Sequence, residues 1–243
     1  MSSFFVWAHR GASAVAPENT LAAFAEAEAG GAEGIEIDVH LSRDGVPVVI
    51  HDETLKRTTD GVGWVSDFSV AELQRLDAGA WFASEFAGET IPTLEEILEW
   101  AGSRLRVNIE IKTADAALAV VELLRSFPRS DVLLSSFDSD LLSFLRREEV
   151  SLPLGFLCDR RSWTRVLKQA VASRAESFHP RRNLVNRPMI AACRREGLAV
   201  YPWTVDNPGD VRRFCRLGTD GLFTNDPRGV RKVLRRLVPA TQF

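Results

Sequence analysis

The sequence predicts an α/β fold closed as a (β/α)8 TIM barrel, and three observations carry that prediction. Short β-like runs alternate with amphipathic helical stretches from end to end of the 243 residues. Repeated β-α units imply a parallel sheet, and about eight of them in roughly 250 residues is the size of a closed barrel. A doubly wound open sheet is the alternative, but no Gly-x-Gly-x-x-Gly turn follows the first strand.

The first apolar run, "FFVWA" (4–8), reads as a buried opening strand. "GIEIDV" (34–39) and "RVNIEIK" (106–112) alternate apolar and polar residues with the period of a strand. "VPVVI" (46–50), "VLLSS" (132–136), "LPLGFL" (152–157), "ESFH" (176–179), "LAVYPWTV" (198–205) and "GLFT" (221–224) complete the strand candidates. Helical patterns fall between them at 20–29, 93–101, 115–126, 139–148, 163–173, 187–196, 208–217 and 228–237. Residues 52–91 break the rhythm, being too long for a simple βα loop. They carry one helical patch, 69–76, and the aromatics Trp64, Phe68, Trp81, Phe82 and Phe86. The expectation is one domain over 1–243, with a small inserted subdomain at about 52–91 over the barrel mouth.

Composition narrows the function classes. A hydrophobic content of 45% with 26% charged residues is that of a soluble globular protein. No apolar run reaches the length of a membrane span, so no integral membrane association is expected. "MSSFFVWAHRG" lacks the basic start and long apolar stretch of a secretory signal. A net charge of -3 gives no general attraction to nucleic acid. Cys158, Cys193 and Cys215 are odd in number and widely spaced, which reads as reduced thiols in a cytoplasmic protein. The last helix sets Val230, Val233, Leu234 and Leu237 against a basic stripe, read as the solvated outer face of a barrel helix rather than a membrane-docking one.

Strands of a parallel barrel are covered on both sides and should be almost wholly apolar. Glu36, Asp38, Glu110 and Lys112 violate that rule late in their strands, where barrel enzymes place their sites. Three converging carboxylates repel one another unless a cation intervenes. Oxygen ligands without thiols suit one hard divalent cation, Mg2+ or Ca2+. The competing reading has Glu36 or Asp38 paired with Arg10 or Lys112 and no metal.

His9 and Arg10 follow the first strand directly, and His51 follows the run ending at Ile50. Two imidazoles can serve as base and acid across one bond. Arg10 offers a fork for phosphate and Lys112 a point charge. Anionic oxygens, a hard metal and two histidines together suggest phosphodiester hydrolysis.

At these residues the sequence resembles the glycerophosphodiester phosphodiesterase family. The resemblance runs through "AHRGASAVAPENTLAAF" (8–24), "EIDVHLSRDGVPVVIHDETLKRTTDG" (36–61), "IPTLEEIL" (91–98), "NIEIK", "SSFD", "YPWTVD" and "DGLFTNDP" (220–227), in family order. It implies a (β/α)8 barrel with a small insertion, and hydrolysis of small-molecule glycerophosphodiesters to glycerol 3-phosphate and an alcohol. It also implies Glu36, Asp38 and Glu110 as metal ligands, His9 and His51 as the acid/base pair, Arg10 and Lys112 on phosphate, and Phe137 and Trp203 as apolar walls. Asp206 stands where the family often has Asn. His40 reads as structural, His179 as a supporting residue at the rim, and Asn19 as either a ligand contact or a helix cap. A phospholipase acting on lysophospholipids and a non-catalytic binder are the competing functions.

Overall fold

The computed structural model describes residues 4–148 and 151–237. Its strands are β1 (Phe5–His9), β2 (Gly34–Leu41), β3 (Pro47–Val49), β4 (Arg106–Ile111), β5 (Val132–Ser136), β6 (Leu154–Cys158), β7 (Ser177–Pro180), β8 (Ala199–Val200) and β9 (Gly221–Thr224). The barrel helices are α1 (Leu21–Ala29), α3 (Leu94–Ala101), α4 (Ala114–Leu124), α5 (Ser139–Arg147), α6 (Trp163–Ala172), α7 (Arg187–Arg195), α8 (Pro208–Leu217) and α9 (Pro227–Leu237), with a short α2 (Val70–Leu73) in the insertion.

Eight strands run in the order β8-β7-β6-β5-β4-β2-β1-β9, all parallel. The ring is closed by backbone hydrogen bonds between the β8 and β9 regions: Asp220 N to Val200 O (3.2 Å), Phe223 N to Pro202 O (2.9 Å) and Val205 N to Phe223 O (2.8 Å). The eighth strand is shorter than the expected 198–205. Pro202 has no N–H to donate and interrupts the ladder there.

A second departure concerns 46–50. That run is not a βα unit of the barrel, because β3 pairs antiparallel with β2 alone. A parallel return needs a crossover of a dozen or more residues, and only Ser42–Val46 separate the two strands. β2 pairs with β4 only as far as Val39, and its last residues pair with β3. The hairpin therefore turns beyond the rim and brings the chain back toward the mouth.

Outward strand residues such as Ile35, Ile37, Val107 and Ile109 join Phe24, Ile97 and Val120 of the surrounding helices in the main core. Inside the barrel, Trp7, Tyr201 and Phe223 form a floor, with Trp7 stacked on Phe223 at 5.7 Å. Glycine supplies room for these rings. A Cβ on Gly34, the ladder partner of Trp7, would lie 2.5 Å from its indole. One on Gly155 would lie 2.5 Å from the His179 ring. Below the floor, Arg106 spans Trp7 and makes a two-pronged contact with Glu176 at 2.6 and 2.8 Å.

The insertion has a core of its own, formed by Val48, Ile50, Leu55, Val65, Leu73, Ala78 and Ile91. The expected helix at 69–76 shrinks to one turn, α2, with Ser69 and Glu72 as a capping box. On α9, Arg228 reaches Glu26 and Arg231 pairs with Glu33, so part of its basic stripe ties the helix to its neighbours.

Candidate active site

The β2–β4 register places Glu36 opposite Asn108 and Asp38 opposite Glu110. All four side chains are buried. Carboxylate oxygens of Glu36, Asp38 and Glu110 lie within 4.8 Å of one another. Lys112 Nζ bridges Asp38 Oδ1 (2.7 Å) and Glu110. Arg10 Nε lies 3.2 Å from Asp38 Oδ2, and Asn19 Nδ2 donates to that same oxygen at 2.8 Å. Burial alone would raise the Asp38 carboxyl, but Lys112 and Arg10 outweigh it and hold it well below the usual range.

Glu36 behaves in the opposite way. Burial, reinforced by Asp38 and Glu110, pushes its carboxyl well above the ordinary value. Its Oε2 accepts the Arg10 backbone N–H at 2.9 Å, while its buried Oε1 has no partner. Asn108 Oδ1 beside it on the ladder also lacks one. Asp38 pairs directly with Arg10 and Lys112, and Glu110 with Lys112 although burial still pushes its carboxyl upward, while Glu36 has no direct ion pair among the described residues. A buried carboxylate in that position is costly without a cation. Three carboxylates and no thiols fit a hard ion such as Mg2+ or Ca2+.

The histidines are braced differently. His9 Nδ1 lies 2.8 Å from Asn225 Oδ1, which also accepts the Ser13 hydroxyl at 2.9 Å. The Asn225 amide is fixed by Asp206, whose Oδ2 accepts Asn225 Nδ2 at 2.9 Å. Its oxygen therefore faces His9, which must carry hydrogen on Nδ1 and keep a lone pair on Nε2. Burial and Arg10 push the His9 pKa down to about 4. His51 Nδ1 lies 2.6 Å from the Asp52 carboxylate, itself gripped by Arg57. Burial lowers the His51 pKa, and Asp38 and Asp52 oppose that shift. The β2–β3 hairpin delivers this ring, with Ile50 N bonded to Asp38 O (3.0 Å) and His40 Nε2 contacting His51 O (3.1 Å).

A cavity of about 220 Å3 joins these groups. Of the nine residues expected at the site, eight line it. Asp38 lies just beneath, held by Lys112 and Arg10. Asn108, Leu157 and Phe223 complete the wall. Phe137 meets Trp203 edge to face at 5.5 Å, and the Trp203 indole N–H donates to His179 O at 2.8 Å.

Several expectations fall elsewhere. His179 does not reach the rim: it is fully buried, bonded to Ser177 Oγ at 2.8 Å, and held neutral with its pKa pushed down to about 3. Asn19 is not the helix cap, since Thr20 accepts the Ala23 N–H; Asn19 instead braces Asp38. In the insertion, Trp81 and Phe82 meet edge to face at 5.7 Å, and neither lines this cavity. Asp52, Asn225, Asp206 and Asn108 were not expected here. Asp52 is adjacent to His51 in the chain, a signal available in the sequence. Asn225 contacts His9 across 216 positions, so no local pattern marks it.

A closed (β/α)8 barrel whose mouth joins three buried carboxylates, a lysine, an arginine and two braced histidines defines a hydrolase for phosphoric diesters. Residues 9–228 match the glycerophosphoryl diester phosphodiesterase family, and the chain belongs to that family. It is 39% identical to a glycerophosphodiester phosphodiesterase of Caldanaerobacter subterraneus over 95% of this chain and 98% of that one. A Bacillus subtilis glycerophosphodiester phosphodiesterase is 33% identical over 93% and 85% of the two chains. Among solved structures, an Oleispira antarctica phosphodiesterase in complex with the product sn-glycerol-3-phosphate superposes with a TM-score of 0.86 at 30% identity, covering 95% and 96%. The Thermotoga maritima glycerophosphodiester phosphodiesterase gives 0.82 at 32%, covering 96% and 99%. No helix among the described residues is long and apolar enough to cross a membrane.

Proposed function

We propose that this enzyme hydrolyses glycerophosphodiesters such as glycerophosphocholine to glycerol 3-phosphate and an alcohol, with one divalent cation at Glu36, Asp38 and Glu110. The observation that carries this reading is the unpartnered Glu36 oxygen among three clustered carboxylates, in a cavity lined by both histidines. These residues would hold Mg2+ or Ca2+, and a cation there would supply positive charge against that developing on the phosphoryl oxygens.

Arg10 and Lys112 face the same cavity and attract the anionic phosphate. Phe137 and Trp203 give an apolar wall for carbon atoms of the substrate. His9, backed by a neutral amide, presents Nε2 as a base toward the nucleophile. His51, backed by a carboxylate that favours its protonated form, is the proton donor to the departing alcohol. Such proton transfers are typically worth ~10²–10⁴ in rate. A cytoplasmic location agrees with three free cysteines. Hydrolysis of glycerophosphocholine, followed as release of glycerol 3-phosphate with and without a chelator, tests the reading. Release that ceases on chelation and returns with added cation is the expected result.

A further inference from the structure

A phosphodiester carries two arms on one phosphorus, and the catalytic cavity has room for little beyond the phosphate and one short arm. At its outer wall stand Phe137, 44% exposed, and Leu157. The same two residues bound a second cavity of about 520 Å3 between the C-terminal ends of β5 and β6 and helices α5 and α6. The space beside His51, between Glu18 and Ala78, holds only about 10 Å3. The β5–β6 groove, which shares Phe137 and Leu157 with the catalytic cavity, is the larger of these two neighbouring spaces and can take a second arm longer than a few atoms.

Resting on the phosphodiesterase reading above, we propose that this groove is the alcohol subsite and that it selects a polyhydroxy alcohol over a quaternary ammonium one. Its wall mixes donors and acceptors. Arg160 and Arg165 can only donate, Asp138 and Asp159 accept, and Gln169 does both. The acids are partly occupied. Asp138 Oδ1 accepts the Asp140 and Leu141 backbone N–H groups at 3.0 Å, and Asp140 accepts Gln169 Nε2 at 2.7 Å. The guanidiniums are freer. Arg160 meets Asp159 only at 3.7 Å, and Arg165 has no ion-pair partner among the described residues. Each hydroxyl of a polyol gives one hydrogen bond and takes others, so it matches such a wall. A trimethylammonium group does neither: it would leave Arg160, Arg165 and Gln169 without hydrogen-bond partners from the ligand, and the carboxylates that could attract its charge include Asp138 and Asp140, which already accept N–H donors of the protein.

The test compares kcat/KM for sn-glycero-3-phosphoglycerol and sn-glycero-3-phosphocholine, at one cation concentration, in the full-length enzyme and in R165A/Q169A. Both positions lie on α6 outside the catalytic cavity. K168A, on the same helix and outside the groove, is the control. The expected result is a preference of tenfold or more for the glycerol diester. That preference should collapse in R165A/Q169A through a raised KM and persist in K168A. A wild-type preference for the choline diester, or an unchanged ratio in R165A/Q169A, would overturn the groove assignment while leaving the phosphodiesterase reading standing. Turnover of neither diester would overturn that reading and the subsite with it.

Discussion

His51 Nδ1 lies 2.6 Å from Asp52 Oδ1, the carboxylate of the very next residue, and Arg57 holds that carboxylate with two further hydrogen bonds at 2.6 and 3.0 Å. The pairing fixes the ring and favours its charged form. For a proton donor, activity is lost as pH rises through its pKa. Removing the carboxylate lowers that pKa. Asp52→Asn should therefore move the alkaline limb of the kcat profile to lower pH and reduce the plateau. A pH–rate series on glycerophosphocholine checks this, and an unmoved alkaline limb would count against His51 as the donor.

The two histidines should differ when the leaving group is changed. His9→Ala and His51→Ala are each expected to cut kcat on glycerophosphocholine by ~10²–10⁴ with little change in melting temperature. A nitrophenyl diester departs without protonation. It should restore much of the rate to His51→Ala and none to His9→Ala. Rescue of the other variant would exchange the roles.

Gly155 has no room for a side chain beside the His179 ring. Gly155→Ala should cost about 1–3 kcal/mol, the range for forcing extra carbon into a packed interior. The midpoint of a urea unfolding curve measures it. An unchanged midpoint would mean that the barrel interior yields more easily than its packing implies.

Trp81 packs on Phe82 and donates its indole N–H to Ala78 O at 2.8 Å, away from the cavity wall. Trp81→Ala should lower the melting temperature and leave kcat/KM within about twofold, the scale of a change remote from the reacting groups. A loss of turnover at unchanged stability would instead make the insertion part of the entrance.

The sequence was most legible where a residue broke the rule of its element. Charged residues in strands that should be apolar marked Glu36, Asp38, Glu110 and Lys112. Strand and helix order followed from periodicity. The run at 46–50 is a strand as read, but its antiparallel pairing with β2 was not legible, because an apolar run of five residues reads the same whether it pairs parallel or antiparallel. The brace on His9 was invisible for a different reason. It joins the ends of β1 and β9, neighbours only once the barrel has closed. Asn19 looked like a cap because its side chain suits that place, yet the bond it makes is to Asp38, fixed by tertiary structure.

The cation is the centre of the account. The direct measurement is glycerophosphocholine turnover by protein dialysed exhaustively against EDTA, then titrated with Mg2+ or Ca2+ while the melting temperature is followed. Turnover should be lost on dialysis and return on titration. Melting temperature should rise as the cation binds the folded state, with both responses abolished in Glu110→Gln. Full turnover by the dialysed protein would contradict the cation's role.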